Sequence, residues 1–165
     1  MGGVKARSVV VVCLANQCRS PMGELLLAKT LQELRVEAEV SSAGIEAVPG
    51  LPATSGARRA VERRFGKPLL AGHKATHLTP GLIASSDIVL VMTRGQAAFL
   101  KDEWNGVVDG VLEKVQTLGE FAGRPEVDVE DPVGGDDARY DACLALLEDL
   151  TDRAARRLAS GRPTA

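Results

Sequence analysis

Four stretches of the chain carry runs of apolar residues that are typical of β-strands. The first is a continuous β-branched run from Val9 to Val12, and this pattern predicts a central strand buried on both faces of a parallel sheet. Asp87 to Met92 is a second run of the same kind. Two weaker stretches, Glu39 to Ala43 and Lys114 to Leu118, complete the set of predicted strands.

Helical patterns occupy the segments between these strands. Ser20 followed by Pro21 predicts an N-cap with proline at the first helical position, and leucines at helical spacing follow. Two further helices are predicted from about Thr54 to Phe65 and from Arg94 to Trp104. A short helix is predicted to begin at Thr79-Pro80, and a last helix is predicted to begin after an N-cap at Asp136 or Asp137. In that last helix one apolar face carries Cys143, Leu147, Leu150, Ala154 and Leu158. Strands that alternate with helices predict an α/β fold of three layers, a four-stranded parallel sheet with helices on both faces.

Length and composition restrict the function further. A chain of 165 residues that is 45% hydrophobic is expected to form one domain over residues 1–165, with flexible ends at about 1–7 and 160–165. The net charge of -2 offers no broad surface for nucleic acid or an anionic membrane, and no segment is apolar enough to span a bilayer. Three cysteines, an odd number, fit a reducing compartment, so a cytoplasmic location is predicted. The oligomeric state is left open.

The loop after the first strand is the candidate site. It runs from Cys13 to Ser20, directly from a predicted strand into a predicted helix, so its backbone N–H groups and the helix dipole favour an anion. Arg19 can donate a planar pair of hydrogen bonds to two phosphate oxygens. The same positive surroundings stabilise a thiolate nucleophile at Cys13, and the Ser20 hydroxyl is placed to donate to its sulfur.

Two simpler interpretations of these residues were weighed. A cysteine at the end of a buried strand is often only a core residue, and Cys13 alone would favour that interpretation. Cys13, Cys18, His73 and His77 form two pairs that superficially resemble zinc ligands. The pairs are too far apart for a zinc finger, and Arg19 would put a positive charge beside the metal, so no metal and no cofactor are predicted.

The segment from Val12 to Pro21, Val-Cys-x4-Cys-Arg-Ser-Pro, resembles the low-molecular-weight protein tyrosine phosphatases. The resemblance extends over nearly the whole chain and includes Ser42-Ala43-Gly44, His73 and Glu130-Asp131-Pro132. It implies the strand order 2-1-3-4, a Cys13 nucleophile that carries phosphate, an Arg19 clamp and Asp131 as general acid. A carboxylic acid at Asp131 agrees with the chemistry, because a phenolate departs poorly unless it is protonated.

The resemblance also assigns the residues around the nucleophile. It implies a phosphate-binding loop made of Leu14, Ala15, Asn16, Gln17, Cys18, Arg19 and Ser20. It implies a supporting hydrogen-bond network made of Asn16, Ser20, Ser42 and His73. Cys18 is expected either to trap an oxidised Cys13 as a reversible disulfide or to be a buried structural thiol, and both interpretations stay open.

These residues predict a phosphatase that hydrolyses phosphotyrosine in a phosphorylated protein or peptide and releases inorganic phosphate. The sequence departs from the family at Ala15, at Gln17 and at Val133-Gly134-Gly135, where tyrosine-directed members carry tyrosines after Asp-Pro. It resembles a phosphoarginine-directed branch at Met92-Thr93 and Pro132-x-Gly134-Gly135, so a protein arginine phosphatase is the close alternative. An arsenate reductase, which needs a further cysteine pair, and a non-catalytic phosphate-binding module are less favoured.

Overall fold

The computed structural model describes residues 7–161 and has a four-stranded parallel sheet at its centre. The strands are β1 (Arg7–Cys13), β2 (Ala38–Gly44), β3 (Ile88–Val91) and β4 (Val115–Thr117). Their order in the sheet is β2-β1-β3-β4, and every neighbouring pair is parallel. The predicted fold class and strand order are therefore confirmed.

Helices cover both faces of this sheet. They are α1 (Arg19–Glu33), α2 (Ser55–Phe65), α3 (Pro80–Ser85), α4 (Arg94–Trp104), α5 (Val111–Lys114), α6 (Leu118–Phe121) and α7 (Asp137–Ala159). Alternate residues of β1 divide between two cores: Val9 and Val11 pack with α1 and α7, whereas Val10 and Val12 pack with α3 and α4. Because all four valines are at most 1% exposed, β1 is buried on both faces, as its β-branched run predicts.

Several boundaries differ from the sequence-based expectation by a residue or two, and two of these differences, at α1 and β4, have a clear structural reason. The N-cap of α1 is Cys18, so Ser20 is the second residue of the helix instead of its cap. The reason is that the Ser20 hydroxyl is occupied by contacts with Asn16 and Cys13. The fourth strand is also shorter than predicted, because Thr117 caps a new helix, α6, through a reciprocal pair of hydrogen bonds with Glu120.

The predicted flexible ends fall mainly outside the described residues, since 1–6 and 162–165 are not described. Arg7 was included in that prediction but belongs to β1, where it pairs with Ala38. Ser160, at the other end, is the C-cap of α7. Over residues 7–161, no helix combines the length and the apolar character needed to cross a membrane.

Candidate active site

The candidate loop lies at the carboxyl edge of the sheet. β1 ends at Cys13 and α1 begins at Arg19, so Leu14 to Cys18 form the whole connection. β1 is flanked by β2 on one side and by β3 on the other, because the chain runs from β1 to β2 and then crosses back past β1 to reach β3. Such a point, where the winding direction changes, is where parallel α/β sheets bind their ligands.

The backbone of this loop is held by its carbonyl groups, which leaves its N–H groups free. The carbonyl oxygens of Cys13, Leu14 and Gln17 accept hydrogen bonds of 2.8–3.0 Å from the backbone N–H groups of Ile45, Glu46 and Thr54. By contrast, no N–H group from Leu14 to Cys18 has a hydrogen-bond partner within residues 7–161. A set of unpaired N–H groups at the start of a helix is an anion-binding arrangement.

Asn16 determines the shape of the loop. It has a left-handed backbone with φ of 54° and is fully buried, and asparagine accepts this conformation better than most residues. Its side chain accepts a hydrogen bond from the Thr76 N–H at 2.8 Å and donates to Ser20 Oγ at 2.7 Å. Its backbone carbonyl oxygen accepts a hydrogen bond from His73 Nε2 at 2.7 Å. Because a carbonyl oxygen can only accept, Nε2 of His73 must carry a hydrogen. Asn16, Ser20 and His73 therefore form one connected network.

Ser20 connects this network to the candidate nucleophile. Its Oγ lies 3.0 Å from Cys13 Sγ and 3.4 Å from the carbonyl oxygen of Ala43. Because Asn16 donates to Ser20 Oγ, the hydroxyl hydrogen of Ser20 remains free to point to the sulfur of Cys13 or to Ala43. The contact with Cys13 is the one that the sequence predicts for Ser20.

Ser42 does not make the contact that the resemblance implies. Its Oγ donates to Glu24 Oε2 at 2.6 Å, whereas Ser20 and His73 each contact Asn16. The reason is its register: Ser42 pairs with Val11, whose side chain points to the face of the sheet that α1 covers, and Glu24 lies on α1. Ser42 thus joins β2 to α1 instead of supporting the loop directly.

Arg19 is almost entirely buried, and its guanidinium is only partly satisfied by the protein. Nη1 donates to the carbonyl oxygen of Val129 at 2.9 Å, and Nη2 lies 3.5 Å from Asp131 Oδ2. Nε has no hydrogen-bond partner within the described residues. A buried charged group with an unpaired hydrogen-bond donor raises the free energy of the folded protein, unless an anion accepts a hydrogen bond from that donor.

Asp131 is brought to the loop from the segment that precedes α7. Its side chain is 42% exposed, and Oδ1 accepts a hydrogen bond of 3.0 Å from the Val133 N–H. The same oxygen lies 3.8 Å from Cys18 Sγ, and Oδ2 faces Arg19. The carboxyl group therefore stands beside the loop while remaining accessible to water.

Ala15 and Gln17, the two loop residues that differ from the pattern of the resembled family, have structural explanations. Asn16 and Arg35 are the non-glycine residues with positive φ among residues 7–161, so Ala15 has an ordinary backbone angle and needs no glycine. Gln17 donates from Nε2 to the carbonyl oxygen of Pro52 at 2.9 Å. This bond ties the loop to the segment that follows β2.

Cys18 and Cys143 are buried thiols whose pKa values are raised. Burial raises the pKa of the Cys18 thiol far above its ordinary value, and the neighbouring Cys13 and Asp131 raise it further. Burial also raises the pKa of Cys143, on α7, to about 11. A raised pKa lowers the fraction of a cysteine that is present as thiolate, which is its reactive form.

Gly44 is a residue of the site whose role the sequence does not reveal, since the sequence shows it only as the end of a predicted strand and as part of the Ser42-Ala43-Gly44 match. A Cβ atom at this position would lie 2.7 Å from Asn16 N, 2.8 Å from Ala15 C and 2.8 Å from Leu14 O. These are backbone atoms of the loop, which cannot move without changing its shape. Glycine is therefore required here by close approach of two backbones.

Replacing Gly44 with alanine is expected to displace the loop and to weaken its binding of inorganic phosphate by about 10-fold or more, because a shift that relieves ~1–3 kcal/mol of overpacking turns the N–H donors away from a bound anion. The measurement is the Kd of inorganic phosphate by calorimetric titration. Gly72→Ala is the matched control, because a Cβ there meets no atom within 4 Å and the backbone angle is ordinary. Equal affinity of the two variants would show that the loop tolerates the added methyl group.

A Cys-x5-Arg loop of free N–H groups, at the carboxyl edge of a parallel sheet with this strand order, is the arrangement expected of a cysteine-dependent phosphatase. Residues 8–162 match the family described as "Low molecular weight phosphotyrosine protein phosphatase". The chain belongs to this family.

Individual relatives include enzymes of two specificities. The protein-arginine-phosphatase of Bacillus subtilis (strain 168) is 34% identical over 154 residues, which is 93% of this chain and 98% of that protein. The low molecular weight protein-tyrosine-phosphatase Ptp of Acinetobacter johnsonii is 30% identical over 142 residues, 86% of this chain and 91% of that protein. A solved structure of the arginine phosphatase YwlE, a mutant with a phosphorylated active-site serine, superposes with a TM-score of 0.85 at 30% identity and covers 96% of this chain and 99% of that one.

Proposed function

We propose that this chain removes phosphate from phosphorylated proteins through a phosphate ester on Cys13 Sγ. The unpaired N–H groups from Leu14 to Cys18 and the unpaired Nε of Arg19, all in the loop and helix start that directly follow Cys13, are the observation that supports this function most directly. These donors hold the three non-bridging oxygens of the phosphate. They bind most strongly when charge develops on those oxygens in the transition state.

The first step transfers the phosphoryl group to the enzyme. The thiolate of Cys13 attacks phosphorus, the bond from phosphorus to the leaving oxygen or nitrogen breaks, and the Asp131 carboxyl gives its proton to the leaving group. Arg19 lies beside Asp131, so one guanidinium is in reach of both the phosphate and the acid.

The second step releases inorganic phosphate. Asp131, now a carboxylate, takes a proton from a water molecule as the water oxygen attacks phosphorus. The phosphorus–sulfur bond breaks, and the sulfur leaves as a thiolate. Ser20 Oγ, 3.0 Å from Cys13 Sγ, stabilises that thiolate by a hydrogen bond. The phosphorylated serine in the related YwlE mutant supports a covalent route of this kind.

Phosphotyrosine is the substrate residue that we propose first, on the basis of the family. Phosphoarginine is a second candidate, which a specific feature of the rim favours. The segments that contact the loop, 45–54 and 131–136, contain no aromatic residue. The exposed apolar side chains there are aliphatic, with Leu14 41%, Leu51 40% and Val133 57% exposed. An aliphatic rim accepts the methylene groups of arginine and gives a tyrosine ring nothing to stack on.

Turnover of a phosphotyrosine peptide and a phosphoarginine peptide of the same sequence, measured as phosphate release by the purified protein, decides between these substrates. A higher kcat/KM for either peptide assigns that residue as the substrate. Binding of phosphate without turnover of either peptide would leave only a phosphate-binding module and would contradict the proposed function.

We also propose a cytoplasmic location. The three cysteines are all free and buried in the structure, and free thiols persist best in a reducing compartment. Phosphorylated proteins of the same compartment would then be the partners.

A further inference from the structure

The segment that carries Asp131 is a loop closed on itself by its own hydrogen bonds. Asp131 Oδ1 accepts from the Val133 N–H at 3.0 Å, and the carbonyl oxygen of Pro132 accepts from the Gly135 N–H at 2.9 Å. Asp136 caps α7 by accepting from the Arg139 N–H at 2.9 Å. The first two contacts are local and fix the shape of the loop, whereas the cap at Asp136 joins the end of the loop to α7.

The side chain of Arg139 joins the part of this loop that carries Asp131 to α7. Its Nη2 donates to the backbone carbonyl oxygen of Asp131 at 3.3 Å. The stem of Arg139 lies against Gly135: a Cβ on that glycine would lie 2.4 Å from Cδ of Arg139 and 3.0 Å from its Cβ. The absence of a side chain at Gly135 thus creates the path that lets Arg139 reach Asp131.

Asp131 has a second cationic neighbour, Arg19, which faces its carboxyl group and not its backbone. Arg19 Nη2 faces Asp131 across 3.5 Å, and the same guanidinium is the donor that the phosphate needs. A phosphate dianion competes with Asp131 for it. Arg139 contacts the backbone of Asp131 and does not compete in this way, so its hold on the loop persists when substrate is bound.

We propose that Arg139 is a positioning residue for the general acid, and that it fixes the backbone of Asp131 so that the carboxyl group faces the leaving group. The inference rests on the proposed function of Asp131. α7 is a suitable support, because it is a 23-residue helix whose apolar face is buried against the core. Arg139 stands in the first turn of α7, three residues after the cap at Asp136.

Leaving-group dependence separates positioning from general stability. Phenyl phosphate releases a strong base and needs the proton of Asp131, whereas p-nitrophenyl phosphate releases a weaker base and needs it less. Arg139→Met keeps the stem on Gly135 and removes the donor. We expect the ratio of kcat/KM for p-nitrophenyl phosphate to that for phenyl phosphate to rise about 3- to 10-fold, the effect of one hydrogen bond. Arg139→Lys, which keeps a cationic donor, should restore part of the loss.

Three controls make the result decisive. The ratio does not depend on how much of each preparation is folded, because both substrates are measured on the same sample. Arg153→Met removes an arginine of the same helix that pairs with Asp149, and it should leave the ratio unchanged. In an Asp131→Asn background, Arg139→Met should add nothing to the ratio, because the acid is already absent.

An unchanged ratio in Arg139→Met, together with a raised ratio in Asp131→Asn, would overturn the role of Arg139 alone. An unchanged ratio in Asp131→Asn would reject Asp131 as the general acid and the inference with it. A rise in the ratio that persists in the Asp131→Asn background would also overturn the inference, since Arg139 would then act without the acid.

Discussion

Cys13→Ser is expected to abolish turnover of p-nitrophenyl phosphate, with a loss of roughly 10⁴-fold or more, as in other enzymes that lose their nucleophile. A serine hydroxyl is far less acidic than a thiol, and within residues 7–161 the side chain that hydrogen-bonds this position is the hydroxyl of Ser20, 3.0 Å away, which is not a base. The expected result is measured as the rate of phosphate release.

Phosphate binding should survive the same substitution. The donors that hold phosphate are backbone N–H groups from Leu14 to Cys18 and the guanidinium of Arg19, and none of them is removed. Calorimetric titration of Cys13→Ser with inorganic phosphate measures this directly. Cys143→Ala, which removes a buried thiol of α7, is the control and should keep its activity. Substantial turnover by Cys13→Ser would contradict a covalent route through this sulfur.

Asp131→Asn should lower kcat/KM by about 10²- to 10⁴-fold for substrates with basic leaving groups, the usual contribution of a general acid. The amide keeps the shape of the side chain and can still accept from the Val133 N–H, so the loop should retain its form. What it lacks is a proton that can be transferred. The effect should be much larger with phenyl phosphate than with p-nitrophenyl phosphate.

The matched control for this substitution is Glu130→Gln, which neutralises the exposed neighbouring carboxylate in the same segment. It should leave kcat/KM for both substrates nearly unchanged. Equal losses in the two variants would indicate that the negative charge of the segment, and not proton transfer by Asp131, affects the rate.

The sequence predicts those features of the fold that depend on local patterns. The buried strand at Val9 to Val12 follows from its β-branched run, and α4 begins and ends at the predicted residues, Arg94 and Trp104. Thr54 and Thr79 cap the helices that they were expected to open, because the capping bond is made within one turn. Cys13, Arg19 and the loop between them belong to the same class of local signal.

Features that depend on tertiary contact were not predictable. Ser20 looks like a cap in the sequence, and its real partners, Asn16 and Cys13, become visible only once the loop is folded. Ser42 was expected at the loop and instead bonds Glu24 on α1, because the register of β2 decides which helix it meets.

Two further features cannot be predicted from periodicity or composition: the requirement for glycine at position 44, and the hydrogen bond from Arg139 to Asp131. The first depends on the backbone of β2 approaching the backbone of the loop. The second depends on a side chain of α7 crossing a glycine to bond a carbonyl group eight residues earlier in the chain. Both are contacts between elements that the sequence describes only separately.

The most direct test of the covalent route is to trap the phosphorylated enzyme. Asp131→Asn mixed with p-nitrophenyl phosphate should accumulate it, since this substrate needs little help in the first step while the second step lacks its base. Acid quenching followed by peptide mass spectrometry should find phosphate on Cys13. Phosphate on another residue, or continued turnover with no phosphorylated enzyme at any time, would contradict the account.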